Sequence, residues 1–342
     1  MNYVPGTIVT DLPLATVAHS VLHPDFIREQ VRQRYPLVGE LSCFLLYRGM
    51  NDVYLVQDAT AKFALRVWRK TYRDVDDVAY ELDFLAFLKS KDFPASVAVP
   101  QHDGSLYFKV QSPEGQRAIA LYDWAPGVKF GERLAEDTGH RIGAAMARMH
   151  LLGLEWADAR APGGKHQFAT ERARDYNTCL PALIDFVYDR PEDLRDYPVI
   201  ARNLDAKLDE LAAAGAPLGV CHRDFHPSNV HVDDDGRITL LDFDGAGEDF
   251  LMQDVQNFVW GNLFYGFSPS YGEAFEDGYQ SVRPYTAVEK EAIEVFLMAK
   301  CLRLVSGMAW ASTAVGRGTL RFRNLDWLGD YIKTRARKTG LL

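Results

Sequence analysis

The sequence is poor in cysteine, and its few cysteines are not grouped. Cys43, Cys179, Cys221 and Cys301 are far apart and form no C-x-x-C pair. This spacing indicates neither a disulfide framework nor a zinc site. Because isolated thiols are typical of a reducing compartment, we expect a cytoplasmic protein.

Long hydrophobic runs without charge are also absent. The most apolar segment, Ile293 to Val315, contains Glu294, Lys300 and Arg303, so it is too polar for a membrane span and typical of a buried helix. Met1 to Val21 has no basic stretch followed by an apolar core, which argues against a secretory signal. We therefore expect neither a membrane partner nor export.

Positive charge is in deficit. Lys and Arg number 38 against 47 Asp and Glu, which gives a net charge of −9. This balance argues against nucleic acid as the main partner. Between Asp224 and Gln280 there are twelve acidic residues and one basic residue, Arg237. Part of this excess would belong to a metal site, and the remainder could attract a cationic substrate, with a solvated surface carboxylate as the alternative explanation of any single residue.

One segment, residues 221–244, carries the chemical signal. It begins with Cys-His-Arg-Asp-Phe-His-Pro-Ser-Asn and ends with Ile-Thr-Leu-Leu-Asp-Phe-Asp. Between these ends, Val230 to Val232 and Ile238 to Leu241 flank an Asp-Asp-Asp-Gly turn, a pattern that predicts a short β-hairpin. Because the ends of a hairpin return to one place, we expect Asn229 to lie close to Asp242.

Three oxygen-bearing side chains of this segment fit phosphoryl transfer. Pro227 keeps the residues before the hairpin from forming a helix, so a loop can present Asp224 beside Asn229 and Asp242. Mg²⁺ prefers hard oxygen ligands, whereas the attacking hydroxyl needs a separate carboxylate. We therefore predict that Asn229 and Asp242 bind the metal and that Asp224 is the catalytic base. The alternative, an acidic surface hairpin, does not explain why Asp242 directly follows two leucines.

The spacing of His-Arg-Asp, four residues, Asn and then Asp-Phe resembles the catalytic loop and metal-binding element of protein kinases. On these residues the chain is similar to the superfamily of aminoglycoside phosphotransferases, choline kinases, type II homoserine kinases and bacterial stress-response kinases. Asp244 stands where eukaryotic protein kinases carry Gly, which favours the small-molecule branch. The resemblance extends from about Gly39 to Ala314.

This resemblance implies a fold and a set of cofactors. We expect an α+β, bilobal protein-kinase-like fold: a small antiparallel-β N-terminal lobe with one main helix, and a larger, mostly α-helical C-terminal lobe. The 342 residues suffice for two lobes, and we assign residues 1–122 to nucleotide binding and 123–342 to catalysis and substrate binding. ATP, with GTP as the alternative, and Mg²⁺ are the implied cofactors.

An amphipathic helix and three β-rich runs, which predict an antiparallel meander, open the chain. The helix spans residues 24–35 and the runs span 41–47, 52–57 and 62–68. Gly49 and Asn51 lie in the first connection between strands. The resemblance implies that this connection binds nucleotide phosphates, although a turn with one glycine joins ordinary hairpins equally well.

The third strand contains Phe-Ala-Leu-Arg, which resembles the kinase strand Val-Ala-Ile-Lys, with Arg66 in the place of the phosphate-binding Lys. Its planar fork can bind phosphate and a carboxylate, but not with the geometry of an ammonium group. The next helix, Val75 to Ser90, places Glu81 among apolar residues, and we predict that Glu81 pairs with Arg66. Lys62, on the same face of the strand, is the less favoured substitute.

Two later strands, predicted at 106–110 and 117–124, lead to a Pro-Gly pair that ends the sheet. In the resembling families the second of these strands enters the hinge that binds adenine. The resemblance therefore implies that four residues lie against the base: Leu121, Tyr122, Asp123 and Trp124. The aromatic pair among them suits an ordinary core equally well.

Beyond the hinge the hydrophobic period is helical. A helix that contains His150 should end at Gly153, and residues 157–168 should form a loop. Further helices are predicted at 202–214 and 289–314. His150 resembles the Leu-His ending of this helix in the family, and we interpret it as a buried structural histidine.

Three histidines surround the predicted base, but His222, His226 and His231 share no helical face, which argues against zinc. We interpret His222 as a brace of the loop and His226 as a residue that meets substrate. Asp254 matches a recurrent family Asp that holds the catalytic loop by hydrogen bonds.

Three functions follow from these features. The favoured one is an ATP-dependent kinase that acts on a hydroxyl of a small, amine-bearing molecule, such as an antibiotic, an amino alcohol or a homoserine-like compound. The second is a protein Ser/Thr kinase of the bacterial stress-response type, suggested by the His-Arg-Asp form and by Gln253-Asp254. The third, a nucleotide-binding pseudokinase, is motivated only by Arg66.

Overall fold

The structure is a computed structural model that describes residues 15–132, 135, 137–159, 190–316 and 325–342. Cys179, the first 14 residues and most of the loop predicted at 157–168 lie outside the described residues. The other three cysteines are free thiols.

An antiparallel sheet of five strands forms the N-terminal part, in the order β1-β2-β3-β5-β4. The strands are β1 (Ser42–Arg48), β2 (Asp52–Gln57), β3 (Lys62–Val67), β4 (Phe108–Ser112) and β5 (Gly115–Asp123). The predicted meander is confirmed by the pairing of β1, β2 and β3. Across β3 and β5, Arg66 lies opposite Ala120 and Ala64 opposite Tyr122, so these four residues share one face of the sheet.

Two helices accompany this sheet. Helix α1 (Pro24–Arg34) begins with proline at its first position and buries Ile27 and Val31 in a core cluster of its own with the sheet. Helix α2 (Val75–Ser90) begins with a capping box between Asp74 and Asp77. Its buried residues belong to the large hydrophobic cluster of the C-terminal part, so α2 connects the sheet to the helical lobe.

The C-terminal part is mostly helical. Numbered among the described residues, its helices are α3 (Thr138–Ala159), α4 (Pro191–Ala213), α5 (Met252–Phe264), α6 (Pro269–Val282), α7 (Ala287–Glu291), α8 (Ile293–Val315) and α9 (Leu325–Lys338). Helix α8 packs against α4, α5 and α9, as expected for a buried helix. The predicted α+β, protein-kinase-like fold is confirmed. The lobe boundary between residues 122 and 123 stays a prediction.

Five short strands form two small antiparallel sheets in this lobe. They are β6 (Val128–Lys129), β7 (Leu218–Cys221), β8 (Val230–Val232), β9 (Ile238–Leu240) and β10 (Gly247–Phe250). Strands β6, β8 and β9 form one sheet, and β7 pairs with β10 in the other. Val230 lies opposite Leu240 and Val232 opposite Ile238, which confirms the predicted hairpin.

The prediction that Gly153 ends its helix is wrong, because α3 continues to Ala159. A Cβ atom at Gly153 would lie 2.9 Å from Val220 Cβ. The glycine therefore allows α3 to approach strand β7 closely instead of capping the helix. Because α3 continues to Ala159, the predicted loop does not begin at residue 157.

Two other helix boundaries were predicted wrongly. Helix α4 starts at Pro191, eleven positions before the expected residue 202, because proline at the first helical position needs no hydrogen-bond partner for nitrogen. The helix expected at 289–314 is two helices that meet at Ala292. Thr286 and Glu289 form a capping box that starts the short helix α7 separately.

Helices α3 and α6 are in close contact through glycines. A Cβ atom at Gly143 would lie 1.9 Å from the carbonyl oxygen of Phe275, and one at Gly278 would lie 1.9 Å from that of His140. Such distances leave no room for any side chain, so both positions require glycine. Among the described residues, no helix has the length and apolar character needed to cross a membrane.

Candidate active site

The loop that follows β7 is held by a single carboxylate from helix α5. The backbone N–H groups of His222 and Arg223 donate to the two oxygens of Asp254 at 2.6 and 2.7 Å. Asn257, one turn further along α5, donates to the carbonyl oxygen of Arg223 at 3.1 Å. Arg223 has a positive φ of 67°, a conformation that needs such compensation in a residue other than glycine.

Asp254 is itself fixed from the opposite side. His150 on α3 lies with Nε2 at 3.2 Å from a carboxylate oxygen of Asp254 and with Nδ1 at 2.7 Å from the hydroxyl of Tyr279. Burial acts to raise the pKa of Asp254, but the hydrogen bonds from His150 and the loop amides outweigh it and lower the pKa. The expected buried histidine and the expected loop-holding aspartate thus contact one another.

Asp224 extends from this loop and remains accessible, since 52% of its side chain is exposed. Its carboxylate lies 3.6 Å from Nε2 of His226. Burial acts to raise the pKa of Asp224, but the charge and hydrogen bond of His226, together with the charge of Lys300, outweigh it and lower the pKa to about 2. Asp224 is therefore ionised at neutral pH, as a general base must be.

The loop and the hairpin bring Asn229 and Asp242 together, as the sequence predicted. Nδ2 of Asn229 donates to the carbonyl oxygen of Asp224 at 2.9 Å, and the N–H of Leu241 donates to the carbonyl oxygen of Asn229 at 2.9 Å. His222 Nε2 lies 2.7 Å from the carbonyl oxygen of Leu241, so this histidine braces the loop against the hairpin. Asn229 is therefore tied to the backbone of Asp224 on one side and to that of Leu241, the residue before Asp242, on the other.

Arg66 crosses the cleft between the lobes. One guanidinium nitrogen donates to Glu81 at 3.0 Å, and another donates to Asp242 at 2.7 Å. Burial acts to lower the pKa of Arg66, but the charges of Asp242 and Glu81 outweigh it and raise the pKa well above its usual value. The sequence predicted the contact with Glu81 and not the one with Asp242. Lys62 lies at the exposed start of the same strand.

The connection between strands β1 and β2 contacts Asp244, two residues after Asp242. Nδ2 of Asn51 donates to Asp244 at 2.8 Å, and Oδ1 of Asn51 accepts the N–H of Arg69 at 3.2 Å. The side chain of Arg69 donates to the carbonyl oxygens of Gly49 and Met50, which fixes the turn. Gly49 and Asn51 therefore lie in one turn, which Asn51 connects to Asp244.

The four hinge residues do not share one environment. Leu121 is fully buried in the cluster around α1, on the face of the sheet away from Arg66. Tyr122 faces Arg66, with its ring centre 5.3 Å from the guanidinium carbon and its hydroxyl donating to Glu81 at 3.1 Å. Asp123 and Trp124 are exposed. The Leu121 side chain therefore points away from the Arg66 side of the sheet, and its carbonyl oxygen accepts the N–H of Val99 at 2.8 Å.

Several contacts at the cleft between the lobes were not predicted from the sequence. Arg73 donates to the carbonyl oxygen of Asp244 at 2.5 Å, and its neighbour Tyr72 lies 5.2 Å from Trp310 of α8, ring centre to ring centre. Asp249 on β10 accepts from Arg223 at 3.1 Å. The Thr-Tyr-Arg-Asp run that ends in the α2 cap was the one feature that could have drawn attention to Tyr72 and Arg73.

The oxygen atoms at the centre suit a divalent cation. Asn229 and Asp242 are supplemented by Asp244, and all three offer the hard oxygen atoms that Mg²⁺ prefers. Burial and the neighbouring charge of Asp242 raise the pKa of Asp244. The charges of Asp242 and Asp244 repel one another, and either Arg66 or a bound metal ion would offset this repulsion. The residues therefore fit the metal that the motif implies.

A second group of possible ligands has a structural explanation. His150, Cys221 and Asp254 are buried, and one ligand atom of each lies within 4.8 Å of the others. His150 and Asp254 contact one another, and burial raises the pKa of the Cys221 thiol. A protonated thiol is a poor metal ligand, so this group supports the catalytic loop.

Comparisons with known proteins find a matching family. Residues 49–290 match the model of the family described as the phosphotransferase enzyme family. A homoserine kinase from Acidiphilium cryptum is 28% identical over 277 residues, which cover 78% of this chain and 81% of that protein.

Solved structures share the fold at lower identity. The microcompartment-associated aminopropanol kinase has a TM-score of 0.64 at 24% identity, and the match covers 89% of this chain and 98% of that chain. Amicoumacin kinase, in complex with AMP-PNP, Ca²⁺ and Ami, has a TM-score of 0.69 at 18% identity, with 90% and 93% covered.

Proposed function

Because the chain belongs to the phosphotransferase enzyme family, we propose that it is an ATP- and Mg²⁺-dependent kinase that phosphorylates a hydroxyl of a small, amine-bearing molecule. The observation that carries this proposal is the accessible, ionised carboxylate of Asp224 in a loop that Asn229 ties to the end of the hairpin, where Asn229 and Asp242 offer hard oxygen ligands. Phosphoryl transfer requires these two features together.

Asp224 orients the acceptor hydroxyl and accepts its proton. Its low pKa suits proton transfer late in the reaction, when the hydroxyl oxygen has begun to bond to phosphorus. Asn229 and Asp242 would hold Mg²⁺, with Asp244 beside them, and the bound metal would neutralise charge on the phosphates. His226, 3.6 Å from the Asp224 carboxylate, keeps this proposed base in place.

The nucleotide would lie against the face of the five-stranded sheet that carries Arg66. Arg66, held by Glu81 and Asp242, presents positive charge on the face shared with Ala64 and Tyr122. The turn of Gly49 and Asn51 would cover the phosphates, and the backbone of residues 121–124 would bind the adenine edge. ATP is the proposed donor, with GTP as the alternative.

The proposed amine group of the acceptor molecule is supported by the negative charge of Asp224 and by the names of similar proteins. The Asp224 carboxylate is exposed to the cleft, where a cationic group is attracted. The similar proteins named above phosphorylate, by their names, aminopropanol and homoserine, each of which combines an amine with a hydroxyl. The cytoplasmic location expected from the isolated cysteines stays a prediction.

The test is ADP formation from MgATP with amino alcohols, hydroxy amino acids, aminoglycosides and a generic protein acceptor. Turnover by the wild type with a small acceptor supports the proposal. Asp224→Asn should lower this turnover by about 100-fold or more while MgATP affinity changes little, because the proton acceptor is lost and the metal ligands remain. Asp83→Asn, the same change at an exposed position of α2, is the matched control.

Two results would contradict the proposal. Turnover of Asp224→Asn near that of the wild type would remove Asp224 as the base. Transfer to the protein acceptor alone would replace the small molecule with a peptide hydroxyl.

A further inference from the structure

Tyr47, near the end of strand β1, is exposed over 64% of its surface. The pairing of β1 with β2 shifts register between Leu45 and Tyr47, so that Leu46 is the extra residue of a β-bulge. Leu45 lies opposite Tyr54, which is buried in the cluster around α1. Because side chains two positions apart share a face of a regular strand, Tyr47 would also face α1 if the bulge were absent.

The bulge instead turns Tyr47 to the other face of the sheet, as bulges commonly do beside active sites. Tyr47 lies opposite Val53, and Val53 lies opposite Arg66, so the three residues form one row across β1, β2 and β3. Neighbouring strands are about 4.8 Å apart, which separates the backbones of Tyr47 and Arg66 by about 10 Å. The side chains of both are long enough to contact one ligand between them.

The ring of Tyr47 folds over the turn that follows β1. A Cβ atom at Gly49 would lie 2.5 Å from Cε1 of Tyr47 and 3.1 Å from its hydroxyl oxygen. Glycine at this position therefore leaves the space that the ring occupies. Within the part of the chain that the structure describes, the Tyr47 hydroxyl has no hydrogen-bond partner. It is thus a donor held at the turn and not used by the fold.

The backbone of the same turn is already bonded. The N–H of Gly49 donates to the carbonyl oxygen of Asn51 at 3.0 Å. The carbonyl oxygens of Gly49 and Met50 accept from the side chain of Arg69, which fixes this conformation. A backbone amide that is bonded within its own turn cannot also cradle a phosphate. A phosphate at this turn therefore requires a donor other than the Gly49 amide.

We propose that the hydroxyl of Tyr47 donates a hydrogen bond to a phosphate of the bound nucleotide, the contact that the Gly49 amide does not supply. This proposal rests on the kinase function proposed above and adds one residue to its nucleotide site. Arg66 contacts the phosphates from β3, and Tyr47 contacts them from β1, at the other end of the same row. Hydrogen bonds to a charged phosphate are stronger than those between neutral groups.

The experiment removes the hydroxyl and keeps the ring, in Tyr47→Phe. Calorimetry with Mg²⁺ measures the affinity for AMP-PNP, which carries three phosphates, and for adenosine, which carries none. Tyr47→Phe should bind AMP-PNP about tenfold more weakly than the wild type, because a hydrogen bond to a charged group is lost. Its affinity for adenosine should equal that of the wild type.

Tyr107→Phe, the same change at a half-buried position before β4, is the matched control and should keep both affinities. Unchanged AMP-PNP affinity in Tyr47→Phe would overturn the proposal. An equal loss for AMP-PNP and adenosine would also overturn it, since Tyr47 would then contact the nucleoside. Tighter binding of AMP-PNP would overturn it by making the hydroxyl an obstacle. A wild type that binds neither AMP-PNP nor GMP-PNP would instead contradict the kinase function, and the proposal with it.

Discussion

At the scale of the residue, Arg66 shows why the replacement of a lysine by arginine changes the site. Its two terminal nitrogens contact different carboxylates, Glu81 at 3.0 Å and Asp242 at 2.7 Å. The planar guanidinium can divide its donors in this way, whereas an ammonium group acts as one compact charge. The position therefore connects the helix of the N-terminal lobe directly to a proposed metal ligand.

Substitution of Arg66 should separate charge from shape. Arg66→Lys should retain appreciable turnover because a cation remains beside the phosphates, whereas Arg66→Met, of similar length, should lose most of it. Adding Glu81→Gln to Arg66→Met should cost little more, since the two residues act as one pair. Steady-state kinetics of these three variants and of Glu81→Gln alone measure both effects. Activity of Arg66→Met equal to the wild type, or simple additivity, would reassign the pair to structure.

At the scale of the element, α3 and α6 are joined through backbone contacts that only glycine permits. Gly143 and Gly278 each lie where a Cβ atom would overlap a carbonyl oxygen of the other helix. Because backbone atoms cannot move aside as a flexible side chain can, relief of this overlap requires the helices to separate. His150 on α3 and Tyr279 on α6 hydrogen-bond across the same contact, so the support of Asp254 depends on it.

Gly278→Ala should lower the free energy of unfolding by about 2 kcal/mol or more, because the added methyl group forces α6 away from α3. Gly307→Ala provides the control, since a Cβ at this position of α8 meets no atom within 4 Å. It should be neutral or stabilising by up to about 1 kcal/mol, as expected for removal of a helical glycine. Urea denaturation measures both, and equal effects of the two substitutions would contradict the argument.

The elements that sequence predicted well are those specified by nearby residues. The hairpin, the meander and helix α2 each follow from a local pattern, and they bring Asn229 to Asp242 and Glu81 to Arg66. The contact between Asn51 and Asp244 joins positions 193 apart, and no local pattern encodes it. The end of α3 was wrongly predicted at Gly153 for the same reason. The glycine is required by packing against β7, which is a tertiary contact that no local pattern encodes.

At the scale of the whole molecule, the two lobes meet at Asp242 and Asp244, which directly follow the hairpin. Asn51 and Arg73 of the N-terminal lobe both donate to Asp244, and Tyr72 lies against Trp310. Arg66 adds a fourth connection through Asp242. A ligand that binds the metal site and the sheet together should therefore stabilise the molecule as a unit.

MgATP should raise the melting temperature of the wild type, because a ligand that binds only the folded state shifts the unfolding equilibrium. In Asp242→Ala this increase should be much smaller, since a charged oxygen ligand is lost. The two proteins are compared by the rise in melting temperature that MgATP causes, because loss of the contact with Arg66 also changes the stability of the variant without ligand. Asp235→Ala, on the exposed turn of the hairpin, is the control. An unchanged increase in Asp242→Ala would remove Asp242 from the metal site.

The attachment of the catalytic loop to α5 has a consequence for how such a protein diversifies over evolutionary time. Asp254 and Asn257 fix the backbone of His222 and Arg223 from within the C-terminal lobe. Inherited changes on the neighbouring helices can then alter which molecule is accepted without displacing Asp224, the proposed base. A lineage can therefore change its substrate by small steps while every intermediate ancestor still catalyses the same reaction.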